Sequence, residues 1–129
     1  MTSPQRDRRI GGELNSAIAT AAVRVHSRYA GRGPTKAQAF HRHNVVVLLM
    51  EDTMTRGERS LAAGGRSEAA WHLRRQLQRT MVPSLVGEIE LLTGCHVVAF
   101  MGDNHIDPDF VADLFVLDRP VPGRQPGAV

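Results

Sequence analysis

Cysteine is nearly absent from this 129-residue chain: Cys95 stands alone, which excludes an intrachain disulfide framework. No uncharged apolar run reaches the roughly 18–20 residues that a membrane span requires. The start, "MTSPQRDRR", is basic but has no apolar segment after it, so it does not read as a secretory signal. Excess charge is missing where it would matter. Residues 1–9 carry a net +2 and residues 118–129 a net +1, so the stretch 10–117 balances 11 basic residues against 11 acidic ones. A groove that tracks phosphates needs surplus Arg and Lys on a folded face, so nucleic acid is not an expected partner. The pattern G-x-x-x-x-G-K-[ST] is absent, as is a serine nucleophile elbow. These absences leave one soluble domain, expected in the cytoplasm, with an apolar fraction of 42% that suits a packed core.

Residues 10–30 have an apolar stripe, Ile10, Leu14, Ile18, Ala21, Val25 and Tyr29, at helical spacing. "KAQAF", a turn-like "HRHN" and "VVVLLM" predict a hairpin whose second strand, 44–50, is apolar on both faces and therefore central. "TRGERSLAAGG" predicts a short helix with a Thr55–Glu58 capping box, stopped by Gly64 and Gly65 in the left-handed conformation. A long helix spans 66–93 with a stripe of Leu73, Leu77, Met81, Leu85, Ile89 and Leu92, and Pro83 should kink or split it near 79–83. "CHVVAFMG" and "FVADLFVL" predict a second hairpin joined by "DNHIDPD". The order α-ββ-αα-ββ implies an α+β, two-layer domain: one mainly antiparallel sheet of about four strands, with three helices. Its expected limits are 10–118, between a disordered basic tail (1–9) and a Pro/Gly-rich tail (119–129).

"AGRGP", residues 30–34, invites comparison with a phosphate loop. Such loops lead into a helix N-terminus, whereas this one follows a helix and precedes a strand, so the nearby dipole end is negative. It reads as a turn: Gly31 suits a left-handed helix stop and Gly33 an extended residue before proline. Arg32 remains a candidate for a ligand or partner, against a solvated arginine or one bonding the helix's last carbonyls.

Within "DNHIDPD", Asp103, His105, Asp107 and Asp109 recur every second residue. Calcium would take the carboxylates, and a transition metal would take His105 with a carboxylate. The EF-hand pattern fails, with Pro108 in place of its glycine and Leu114 in place of its glutamate, and the same residues are ordinary turn formers. No cofactor is therefore expected. His41 and His43 could join His105 across the sheet, but read more simply as exposed histidines at a hairpin tip. Cys95 and His96 are adjacent on a strand and so point apart, which argues against a thiolate–imidazole pair. The long helix has Arg66, Arg74, Arg75 and Arg79 in its first half and Glu88 and Glu90 in its second, opposing its dipole at both ends. An antiparallel partner helix in a homodimer would offset this, as would pairing with helix 10–30.

Four segments, "GRGP" (31–34), "VVVLLMEDTMTRGERSL" (45–61), "ELLTG" within "EIELLTGCHVV" (88–98) and "FMGDNHIDPDFVADLFVL" (100–117), together resemble the MpsC-type domain family over about residues 10–118. Relatives usually have a basic residue after "TG", where this chain has Cys95 and His96. The resemblance implies a non-enzymatic accessory or regulatory protein, with no catalytic residues to carry over. It would belong to a membrane system for cation or inorganic-carbon transport whose subunits include one resembling those of NADH dehydrogenases. The chain would then lie peripheral to the inner face of the membrane. The alternative is a small metal- or anion-binding domain, or a small enzyme, using Arg32 and the 103–109 loop.

Overall fold

A computed structural model describes the backbone of residues 4–123, and side chains from residue 11 onward. Seven elements follow in order: α1 (Pro4–Ala30), β1 (Lys36–Arg42), β2 (Val45–Glu51), α2 (Arg56–Ala63), α3 (Ser67–Thr93), β3 (Val97–His105) and β4 (Phe110–Leu117). The sheet is fully antiparallel with strand order β1-β2-β4-β3, so β2, the doubly apolar strand, is central as its composition requires.

The helical layer covers one face of this sheet. Val46, Leu48 and Met50 of β2 and Val111, Phe115 and Leu117 of β4 alternate inward, as a two-residue period demands. They close the core with Ile18, Ala22 and Val25 of α1 and Met81, Leu85 and Ile89 of α3.

Several boundaries differ from expectation. Helix α1 begins at Pro4, so residues 4–9, expected as disordered tail, are helical; the side chain of Ile10 lies outside the described residues. The C-terminal boundary also moves: Val121 is 3% exposed and its amide donates to the His43 carbonyl, so the fold continues past residue 118. The rest of that tail, 124–129, lies outside the described residues. Gly65 (φ 78°) is left-handed at the end of α2, but Gly64 (φ −83°) is not. Pro83 neither splits nor ends α3, which runs unbroken from Ser67 to Thr93 with the buried Met81 and Leu85 on either side of it.

The largest correction concerns which face of α3 is buried. Leu73 is 41% exposed, and the inward positions are Ala70, Arg74, Gln78, Met81, Leu85 and Ile89. The first half of the helix therefore buries polar side chains, each opposite a polar partner: Arg74 against Glu58 of α2, and Gln78 against Asp113 of β4.

Candidate functional site

The AGRGP turn is built as its order in the chain suggested. Gly31 (φ 79°) takes the left-handed conformation open to glycine, and its amide bonds the Ser27 carbonyl at 3.1 Å. Arg32 is half-buried and does not bond the carbonyls of α1. Its guanidinium donates to both Asp52 carboxylate oxygens (3.3 and 3.0 Å) and to the Met54 carbonyl (2.6 Å), tying the α1–β1 turn to the segment after β2. Arg59 of α2 meets the same Asp52 carboxylate.

Asp109 braces that segment from the other side. Its carboxylate accepts from Thr53 Oγ1 and from the Met54 amide, both at 2.8 Å, and its carbonyl accepts from the Asp52 amide. Asp109→Ala should therefore cost about 2 kcal/mol by orphaning two buried donors. Asp109→Asn, which keeps one acceptor, should cost less, as read by urea unfolding.

These contacts decide how the 103–109 residues are distributed. Asp103 and His105 belong to β3 itself, so only residues 106–109 form the turn. Asp103 accepts from the Asn104 amide, His105 Nδ1 lies 2.7 Å from the Pro108 carbonyl, Asp107 is exposed, and Asp109 is turned toward α2. Among the described residues, no three His, Cys, Asp or Glu side chains come close enough to share a metal ion. His41 is buried on β1, with Nδ1 2.5 Å from Asn15 Oδ1, while His43 occupies the hairpin turn at φ 55°, so the two are not a pair at an exposed tip. Cys95 is buried with its Sγ 3.6 Å from the Thr93 carbonyl, and the exposed His96 points toward Glu90.

The charges of α3 are mostly used within the chain. Glu88 pairs with Arg24 of α1 at 3.5 Å, which is the pairing with the first helix. Glu90 accepts from the Val97 amide at 2.9 Å. Arg74 is 2% exposed and its Nε donates to Glu58 Oε2 at 2.8 Å, so it is not on the surface that a partner helix would meet. Of the basic set, Arg66 and Arg79 are exposed and Arg75 is half-buried, its guanidinium 4.9 Å from the Trp71 ring centroid.

Glu58 joins two motifs. One carboxylate oxygen completes the capping box by accepting from the Thr55 amide (3.1 Å), and the other holds Arg74. Around this pair lies a buried polar cluster. His26 of α1 is pushed down to about 4, chiefly by burial and then by Arg74, with Asp109 opposing. Its Nδ1 and the Arg74 Nη2 have no hydrogen-bond partner among the described residues. On β4, burial raises Asp113 to about 6, against the hydrogen bond from Gln78 of α3. The composition of "EDTMTRGERS" announced a cap but not the burial of Glu58. The signal for Asp113 was a lone acid at the inward parity of an apolar strand, between Val111 and Phe115.

The opposite face of the sheet is open. Across the four strands, Phe40, Val47, Leu114 and Met101 stand in register as one apolar row. The adjoining rows are Arg42, Val45, Val116 and Ala99 on one side, and Gln38, Leu49, Ala112 and Asp103 on the other. Phe40 and Met101, at the two edges, are 52% and 55% exposed. No described element forms a layer over this face, although most of its central positions are aliphatic.

No curated protein and no solved structure matches the chain. A family model does, over residues 11–119, a span that includes the Arg32–Asp52–Asp109 brace, the Glu58–Arg74 pair and all four strands. The description of that family is "Na+-translocating membrane potential-generating system (MpsC)", and the chain belongs to the MpsC family.

Proposed function

We propose that this protein is a non-enzymatic accessory or regulatory component of a membrane cation or inorganic-carbon transport system. It acts at the inner face of the membrane by docking on a subunit that resembles those of NADH dehydrogenases. Among the described residues no helix is long and apolar enough to cross a membrane, so the link to such a system runs through contact with another chain. The observation that carries the reading is the open sheet face. An aliphatic surface four strands wide, with arginine at one corner and aspartate at the opposite one, has the apolar centre and charged rim of a protein-binding surface. The conspicuous polar groups support a docking role too, since Arg32, Arg74 and Asp109 are engaged within the fold.

Leu114→Glu puts a charge in the middle of the apolar row without touching the buried core. It should reduce recovery of the membrane subunit from gently solubilised host membranes by at least about tenfold, the effect of losing one central contact. Its urea midpoint should stay near that of the wild type. Equal recovery by both proteins, or none by the wild type where the subunit is present, would refute the reading. A wild-type dimer in light scattering that Leu114→Glu turns into a monomer would assign the face to a second copy instead.

A further inference from the structure

The groove between α3 and the edge strand β3 meets the open sheet face only at Met101, the edge residue of its apolar row. Its walls are Val82 and Pro83 on the helix and Phe100 and Met101 on the strand, and they bound a cleft of about 520 Å³ that Arg75, Gln78, Arg79 and Gly102 complete. This volume is in the range of small-molecule sites. The lining holds two positive charges and no negative one. Arg75 and Arg79 are one turn apart, and among the described residues neither has a carboxylate within ion-pair distance. Most other arginines whose side chains are described have a partner here: Arg24, Arg32, Arg59, Arg74 and Arg119 each meet an acid.

The floor is held rigidly. Gln78 donates through Nε2 to Asp113 Oδ1 (2.6 Å) and accepts at Oε1 from Asn104 Nδ2 (3.0 Å), so its amide is fixed at both ends. A primary amide has two N–H donors, so the second Nε2 hydrogen remains available at the floor. Gly102 keeps this arrangement open: a Cβ there would lie 2.5 Å from Asp113 Oδ1 and 2.8 Å from Gln78 Nε2. A cleft with apolar walls, a pre-positioned amide and two cations at its rim matches a ligand with an apolar body and an anionic head. We propose that it binds an amphipathic organic anion, an alkyl carboxylate or alkyl phosphate. The headgroup lies on Arg75 and Arg79, and the tail runs along Val82, Pro83, Phe100 and Met101.

The test is calorimetric titration of the full chain with decanoate, alongside decyltrimethylammonium, which has the same tail and the opposite charge. Decanoate should bind at one site per chain, and the cation at least about tenfold more weakly, since charge-assisted hydrogen bonds to both guanidiniums are lost. Arg75→Glu/Arg79→Glu, changed at side chains outside the core, should weaken decanoate by a similar factor, whereas Phe40→Glu, on the opposite edge strand, should bind it as the wild type does. Sedimentation with phosphatidylglycerol vesicles separates the two sources of this chemistry. Vesicle binding that needs both arginines, without uptake of free decanoate, identifies a membrane lipid, and decanoate binding identifies a free anion. The proposal is overturned if decanoate and the alkylammonium bind alike. It is also overturned if the double variant binds as the wild type does, if Phe40→Glu alone abolishes binding, or if neither decanoate nor the vesicles bind.

Discussion

Arg74→Met should destabilise the protein by about 3–5 kcal/mol, because it strands a carboxylate inside the fold. Glu58 is 0% exposed, and beyond its Thr55 amide bond the only cation it meets among the described residues is Arg74. The pair is not an economical source of stability: taking two charges out of water costs nearly what their attraction returns. Its effect lies in the asymmetry, since either partner left alone is far worse than both or neither. Arg74→Met/Glu58→Gln is therefore the informative companion. Glutamine keeps the capping-box acceptor for the Thr55 amide while removing the charge, so the double variant should recover at least half of the loss. Urea unfolding at pH 7 measures both. A single variant within about 1 kcal/mol of the wild type would mean that water or local movement already solvates Glu58.

The same helix shows what sequence periodicity could and could not reveal. Spacing alone located all three helices and both hairpins, because an apolar run bounded by turn residues has few other solutions in a domain of this size. The capping box was legible because Thr55 and Glu58 act within four residues of each other. What periodicity misplaced was the inward face of the first half of α3. Leu73 looked like core and Arg74 like a charge facing a partner helix or solvent; Leu73 is exposed, Leu77 only half-buried against the core, and Arg74 and Gln78 are buried beside Ala70. The reason is nonlocal. Arg74 is buried because Glu58 awaits it sixteen residues earlier, and Gln78 because Asp113 awaits it thirty-five residues later. A hydropathy pattern records one chain segment and cannot register a partner on another element. Arg32 follows the same logic. Its position after a helix argued against a phosphate, but nothing local pointed to Asp52 as its counterion. The reading of 103–109 as one compact loop failed for a related reason. Strand β3 continues to His105 to match β4, whose register pairs His105 with Phe110, and this separates the four donors along strand and turn.

Two buried titrations should nearly cancel in the acid stability of the wild type, and each should emerge when the other is removed. His26 is held at about 4 in the fold against 6.5 unfolded, so the unfolded chain binds the extra proton between those values. Its contribution is fully present above pH 6.5 and is lost as pH falls toward 4, by about 3 kcal/mol at 1.36 kcal/mol per unit. Asp113 works in the opposite sense. Its folded value near 6 lies above the unfolded 3.8, so the folded chain keeps a proton that the unfolded chain gives up. Ionising it under the helix layer penalises the fold above pH 6, and acidification from 6 to 4 returns about 3 kcal/mol. The two windows overlap almost completely, and the two groups belong to different polar clusters: His26 faces Arg74 and Asp109, while Asp113 faces Gln78. Asp113→Asn keeps the acceptor for Gln78 but cannot ionise, so it should be more stable than the wild type at pH 7. It should then lose about 3 kcal/mol more than the wild type between pH 7 and 4. His26→Gln should show the reverse slope, gaining stability relative to the wild type over the same interval. Urea unfolding at pH 7, 5.5 and 4 reads all three proteins. Only the differences between them are diagnostic, since the ion-paired surface carboxylates are common to all. Parallel profiles for Asp113→Asn and the wild type would show that Asp113 is already ionised and hydrated at neutral pH. The buried layer beneath the α3–β3 cleft would then contain water bonded to the Asp113 oxygen that has no protein partner.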